Sequence, residues 1–267
     1  MGAGGEEGQR FGETKQMLRR LGQPGVGVTF RGAAAIAYGI ACFLQGDFAA
    51  PWQPVPDGLP LRQPLAYLSA GLLVLGGAGL LIARTVRPAA MILLALFAIY
   101  DLLYQLQLVL PPHNRHAILG LAEQTSVVVG SWAILLRMRG SGAASVTIAR
   151  IVFGICSLLF AVAHLLGVKP TAQMIPEWFP GGGVFWAIAT GIGHLAVGLA
   201  LIANRLAVPA TRLGALMYVC FALFVWLTGA VTHPTERLRW AGFAISLCMA
   251  AALWLVGDLL ATRKAEI

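Results

Sequence analysis

The sequence predicts an all-α protein: a polytopic membrane bundle of about eight transmembrane helices, arranged as two parallel four-helix repeats. Three observations predict this fold class: the composition, the spacing of apolar segments, and an internal repeat. The chain has 267 residues, of which 58% are hydrophobic and 11% are charged, and its mean hydropathy is +0.77. A soluble domain carries about a quarter charged residues. Water is therefore an unsuitable solvent for most of this chain.

Apolar segments long enough to cross a bilayer occur eight times along the chain. A spanning helix needs about 20 mostly apolar residues, because each backbone N–H and C=O must be satisfied within the segment. Arg31 lies in the first segment, which spans only if its guanidinium reaches the interface from near the helix start. The eight segments are 28–45, 65–83, 89–110, 117–136, 151–168, 184–203, 213–231 and 240–260.

The segments divide the chain into two repeats with connecting and terminal parts. We predict a cytoplasmic tail over 1–26 that is disordered or interfacial, a first repeat over 27–136, a linker over 137–150, a second repeat over 151–262 and a cytoplasmic tail over 263–267. The first tail is Gly-rich and charged, and it lacks the basic stretch followed by an apolar stretch that marks a cleavable signal peptide.

Basic residues alternate from loop to loop. With a cytoplasmic N-terminus, fourteen of the 19 lysines and arginines fall on the cytoplasmic side, and the other five are Arg62, Arg115, Lys169, Arg237 and Arg239. This is the positive-inside pattern of short loops, and it predicts cytoplasmic N- and C-termini. Membrane insertion thus accounts for the net charge of +8, and no nucleic-acid partner is implied.

Residues about 120 positions apart match between the two halves. The matches include Leu81-Ile82-Ala83 with Leu201-Ile202-Ala203, Pro56 and Pro60 with Pro176 and Pro180, Gly71 with Gly191, Ser126 with Ser246, and His113 with His233. Four spans is an even number, so both halves insert the same way, related by a pseudo-twofold axis along the membrane normal. Each half has one long outer loop that mixes aromatics with prolines, which predicts an interfacial or re-entrant segment.

The second half carries a resemblance to a known family. The residues are Arg150, Gly154, Phe160, Ala163-His164, Met174-Ile175-Pro176-Glu177-Trp178-Phe179-Pro180, and Gly191 to Gly198. On these residues the chain resembles the DoxX-like family of small four-helix membrane proteins, here as a tandem duplication. His194 stands where relatives often carry a glutamate, and the first half has Phe43 in the place of His164. The resemblance implies the bacterial cytoplasmic (inner) membrane and an association with quinone-linked or thiol and sulfur redox systems.

Polar residues inside the predicted spans are the candidate site. An ionisable group within the bilayer costs about 2.5–3.5 kcal/mol, so each one calls for an explanation. Helical spacing puts the first three candidates on one face of the third span, and counting along the spans puts the ionisable ones in the outer half. We predict a polar cavity suited to a quinone headgroup or to proton transfer, the alternative being satisfied contacts between helices. The candidates are Asp101, Tyr104, Gln105, Glu123, His164 and His194.

Other cofactor chemistry finds little support in the sequence. Haem ligation by two histidines needs matching depths, and counting residues puts His164 and His194 roughly 9 Å apart in depth. Thiol–disulfide exchange is disfavoured because no Cys-x-x-Cys pair occurs among Cys42, Cys156, Cys220 and Cys248. No metal site is predicted, and quinone is the one candidate cofactor.

Three functions of different classes stay open. The first is a membrane subunit or docking partner of a quinone-linked or thiol and sulfur redox system, which has the lipid bilayer and a soluble or membrane redox protein as partners. The second is a small-molecule or lipid transporter. The third is a non-catalytic membrane assembly factor, in which glycine and alanine allow close helix packing. A stand-alone enzyme is not expected.

Overall fold

The computed structural model describes residues 24–49, 51–109, 115–140 and 142–264, and within these ranges all regular structure is helical. The predicted tail 1–26 lies mostly outside the described residues, as do His113 and residues 265–267. The helices are α1 Val26–Gln45, α2 Arg62–Leu80, α3 Val86–Val109, α4 Arg115–Arg139, α5 Ala143–Leu166, the short α6 Val168–Met174, α7 Gly182–Ala203, α8 Ala207–Thr232 and α9 Arg237–Lys264.

Eight of these helices, all except α6, are long and apolar enough to cross a membrane. The chain is therefore an integral, multi-pass membrane protein with an all-helical bundle, as the sequence predicts. We call the end of the bundle with the segments 46–61 and 167–181 the loop end, and the opposite end the terminal end.

Prolines and positive-φ residues fix several helix boundaries. Pro88 and Pro209 each occupy the third position of their helices, α3 and α8, where the backbone N–H has no partner within the helix. Gly46 ends α1 with φ 64° and Asn204 ends α7 with φ 54°, in the left-handed conformation that commonly terminates helices.

The predicted linker 137–150 contains the ends of two helices. In the structure α4 continues to Arg139 and α5 begins at Ala143, so that most of this segment is helical. The sequence prediction followed the apolar residues, whereas a spanning helix continues beyond the hydrocarbon core and carries charged residues such as Arg137 in the headgroup region.

The same packing arrangement occurs in both halves. The central pair is α4 and α9; α1 packs against α9 as α5 packs against α4, while α2 and α3 in the first half take the places of α7 and α8 in the second. The buried share of the apolar window is 61% in α4 and 78% in α9, but only 39% in α2 and α3 and 33% in α7 and α8. A pseudo-twofold axis through the central pair accounts for this order.

Small residues let the helices approach closely. Gly130 of α4 faces Ala252 of α9, Gly32 of α1 faces Gly77 of α2, and Gly154 of α5 lies against α7. In a membrane, where lipid is as apolar as a leucine side chain, such close contact supplies much of the energy of helix association.

Arg31 lies inside the protein. The residue is fully buried, its Nη2 donates to Ser131 Oγ at 3.0 Å, and its Cζ lies 4.8 Å from the centroid of the Phe97 ring. The reason is the position of α1, which packs on the central helix α9 and therefore turns Arg31 toward protein and not toward lipid.

Ion pairs join the two halves at the loop end. The carboxylate of Asp47 lies 3.2 Å from Arg62 and 3.4 Å from Arg237, and Gln45 Nε2 donates to the carbonyl of Arg237 at 3.3 Å. Asp47 follows α1 and Arg237 begins α9, so these contacts fix the first half to the second.

Candidate functional site

Part of the connection between α1 and α2 packs inside the first half, and we call its residues 46–49 and 51–55 the re-entrant segment. Phe48, Ala49, Trp52 and Gln53 are all buried. The segment fills the space between α2 and α3 at the loop end.

Gln53 anchors the re-entrant segment. Its Oε1 accepts from the Ala49 N–H at 2.6 Å and from Cys42 Sγ at 3.5 Å, and its Nε2 donates to Ser69 Oγ at 3.4 Å. Ser69 in turn is hydrogen-bonded to the hydroxyl of Tyr100 on α3. One buried side chain thus connects the segment to three helices.

Replacing Gln53 with leucine should lower the free energy of unfolding by about 2 kcal/mol, because it leaves the Ala49 N–H buried without an acceptor. Unfolding in mixed micelles with increasing dodecyl sulfate measures the change. Gln63→Leu is the matched control, since Gln63 is exposed at the start of α2. Equal unfolding midpoints for the two variants would contradict the anchoring role of Gln53.

Of the three candidate residues on α3, two make contacts inside the protein and one is exposed. Asp101 accepts hydrogen bonds from Thr125 Oγ1 of α4 at 2.9 and 3.0 Å, and the hydroxyl of Tyr104 donates to the carbonyl of Pro51 in the re-entrant segment. Gln105 is exposed. Asp101 and Tyr104 therefore make contacts within the first half, and Gln105 does not join them.

Glu123 lies where the first half meets the second. Its Oε2 accepts from Trp52 Nε1 at 2.6 Å, and the Trp52 ring meets Trp226 of α8 edge to face at 5.7 Å between centroids. The hydroxyl of Tyr218, also on α8, is buried without a hydrogen-bond partner. Glu123 thus connects α4, the re-entrant segment and, through Trp52, α8.

His164 and His194 are neighbours. Their ring centroids lie 5.0 Å apart, edge to face, and His194 also lies 5.4 Å from Tyr218. The predicted depth difference of roughly 9 Å is therefore wrong, because the start of α7 extends past the end of α5, where Gly183 lies against Ala172 of α6. The two rings are too close together to bind a haem iron from opposite sides of a porphyrin.

His164 is hydrogen-bonded to Thr190. Thr190 Oγ1 lies within donating distance of the backbone carbonyls of Trp186, at 2.7 Å, and Ala187, at 3.3 Å. His164 Nδ1 lies 2.9 Å from the same Oγ1 and is the donor of that contact when the hydroxyl proton is on a carbonyl. In the neutral ring, Nε2 is then the hydrogen-bond acceptor.

Thr190 also borders a cavity between α7 and α8 at the loop end. The cavity has a volume of about 310 Å³. Its walls are mainly aromatic and aliphatic, and its openings face lipid, because Leu213 and Leu216 on its border are 68% and 58% exposed. Among the residues that line it are Phe179, Trp186, Thr190, Phe221 and Phe224.

The sequence analysis did not predict this aromatic cavity. One pattern in the sequence does indicate a shared surface: Trp186, Thr190 and His194 recur every four residues and so lie on one face of α7. On α8, the stretch Phe221–Leu227 is a π-helix, which is rare and frequently occurs at functional sites. Phe221 and Phe224 of this stretch line the cavity.

A second cavity continues along the same pair of helices toward the terminal end. It has a volume of about 330 Å³ and shares Leu213 and Met217 with the first. In the first half, α2 packs more extensively against α3, and Phe48 and Gln53 occupy the loop end of that interface. The two cavities together form a cleft between α7 and α8. The two repeats therefore differ at this pair of helices.

The fold defines an integral membrane protein, and a cleft between two of its helices opens to the lipid-facing side. No protein-family model, curated protein or solved structure matches the chain. Among the residues that the structure describes, no group of three or more His, Cys, Asp or Glu side chains is placed to hold a metal ion. The assignment of a function must therefore come from the cavity.

Proposed function

We propose that this protein is a membrane subunit or docking partner of a quinone-linked or thiol and sulfur redox system, and that it binds quinone between α7 and α8. The observation that supports the proposal best is the aromatic cavity of about 310 Å³ with Thr190, the hydrogen-bond partner of His164, in its wall. The DoxX-like resemblance favours the same class of function.

The residues that line the cavity suit both the flat ring of a quinone and its carbonyl groups. Ligand sites are typically apolar cavities with a few fixed polar groups, and aromatic rings contact a flat ring through offset or edge-to-face packing. Phe179, Trp186 and Phe221 would hold the ring. On binding, the Thr190 hydroxyl would turn its single proton from the Trp186 carbonyl to a quinone carbonyl, while His164 Nδ1–H donates to Thr190 Oγ1.

The proposed location is the bacterial inner membrane, with the loop end outside and both termini in the cytoplasm. The distribution of lysines and arginines supports this orientation. The cavity then lies in the outer leaflet. A soluble or membrane redox protein would act as the partner that exchanges electrons with the bound quinone.

Replacing Thr190 with valine should weaken the binding of a short-chain ubiquinone about fivefold, since the hydrogen bond to the quinone carbonyl is worth roughly 1 kcal/mol and valine cannot donate it. The affinity is measured in lipid nanodiscs from the quenching of Trp186 fluorescence, with Trp186→Phe identifying the signal. Unchanged affinity would count against the proposed headgroup position.

Thr228→Val is the matched control for this experiment. Thr228 Oγ1 donates to the carbonyl of Phe224 four residues earlier at 2.7 Å, as Thr190 Oγ1 does to Trp186, but no histidine contacts it. The control variant should bind quinone as the wild type does. If the wild type shows no saturable binding at all, the proposed function is wrong.

A lipid or small-molecule transporter is the second candidate, because the two adjoining cavities extend along the lipid-facing side of the bundle. Lipid flux in proteoliposomes tests it directly. Flux above that of protein-free vesicles, together with no quinone binding, would favour transport. The assembly-factor alternative predicts neither flux nor binding.

A further inference from the structure

We infer that the cleft between α7 and α8 binds a long polyisoprenoid tail along the membrane, with the headgroup at the loop end and the tail directed to the terminal end. This inference rests on the proposed function for the headgroup, and it adds the class of ligand: a long-chain quinone in preference to a short one. The first cavity alone does not require a long tail on the ligand.

The geometry of the second cavity carries the argument. It adjoins the headgroup cavity through Leu213 and Met217, and it extends to Leu206 and Pro209, where α8 begins. The helix α7 has 22 residues, which corresponds to about 33 Å at 1.5 Å per residue. The two cavities together therefore follow α7 across most of the hydrocarbon core.

The lining of the second cavity fits an isoprenoid tail. On α7 it consists of small apolar residues, Gly193, Ala196, Val197 and Ala200, which leave a shallow channel beside Pro209, Leu213 and Met217 of α8. An isoprenoid chain carries a methyl group at every unit and so fills such a channel by van der Waals contact. No charged side chain lines the second cavity.

The repeat provides an internal comparison. The first half places α2 against α3 more extensively than the second half places α7 against α8, although both pairs come from the same repeated unit. At the loop end the first half fills this interface with its own re-entrant segment. The second half leaves the headgroup cavity at that end, and its looser packing of α7 on α8 leaves the second cavity beyond it, which implies that a molecule from the membrane fills both.

The test compares a one-unit quinone with a long-chain quinone in nanodiscs, with affinity expressed per mole fraction of lipid so that partition into the bilayer cancels. We expect the wild type to bind the long chain about tenfold more tightly, a gain that comes from contacts in the cleft. Ala200→Phe fills only the second cavity. It should remove that gain and leave the affinity for the one-unit quinone unchanged.

Ala95→Phe is the matched control, because Ala95 is exposed on α3, away from the cleft. It should keep the tenfold preference. Equal affinities of the wild type for both chain lengths would overturn the inference and leave the headgroup site intact, and so would an Ala200→Phe variant that keeps the preference. Failure of the wild type to bind either quinone would overturn the inference together with the proposed function.

Discussion

Replacing Gly130 with valine is expected to lower the stability of the bundle by about 3 kcal/mol, the upper part of the usual range for overpacking. A Cβ at Gly130 would lie 2.4 Å from the Cβ of Ala252 and 2.6 Å from its Cα. The Cα is backbone, so no side-chain rotation relieves the clash, and α4 must move away from α9. Because α1 and α5 pack on these two helices, the displacement affects contacts in both halves.

The measurement is the dodecyl sulfate fraction at which the protein unfolds in mixed micelles. Gly71→Val is the control: it makes the same substitution in a helix, so it has a similar effect on helix propensity. The nearest atom to a Cβ at Gly71 is Cζ of Phe43, at an ordinary contact distance of 3.8 Å. If both variants unfold at the same detergent fraction, the contact between the central helices does not hold the halves together.

The sequence predicts the spans well because spanning is a local property. Twenty apolar residues satisfy their own backbone hydrogen bonds as a helix, so length and hydropathy identify each span without knowledge of its neighbours. The even number of spans in each half then determines the relation between the repeats. Neither step tells how far a helix continues past the apolar core, so hydropathy alone does not give the ends of α4 and α5 within 137–150.

Contacts between helices could not be predicted from the same data. The depth of His164 was counted from the end of α5 and that of His194 from the start of α7, and these ends lie at different heights. Likewise, the spacing of Asp101 and Gln105 puts them on one face of an isolated helix, but only the packing of α4 decides which of them is covered. The burial of Arg31 follows from the position of α1 against α9.

Filling the headgroup cavity should have the largest effect on binding. Ala189 lines the cavity on α7, one residue before Thr190. In Ala189→Phe, a phenyl ring occupies the space that the quinone ring would take, so we expect the affinity to fall about a hundredfold or more, equivalent to roughly 2.7 kcal/mol. The loss should be the same for short-chain and long-chain quinones, because the headgroup is common to both. Trp186 quenching in nanodiscs measures it.

Ala98→Phe controls for the addition of an aromatic ring, since Ala98 is exposed on α3. It should bind quinone as the wild type does. Should Ala189→Phe keep full affinity in a protein that binds quinone, the headgroup must lie elsewhere, and the next place to search is around Glu123, where Trp52 and Trp226 also meet. An Ala189→Phe variant that loses both quinones, beside an Ala200→Phe variant that loses only the long-chain preference, would place the two ends of the ligand separately.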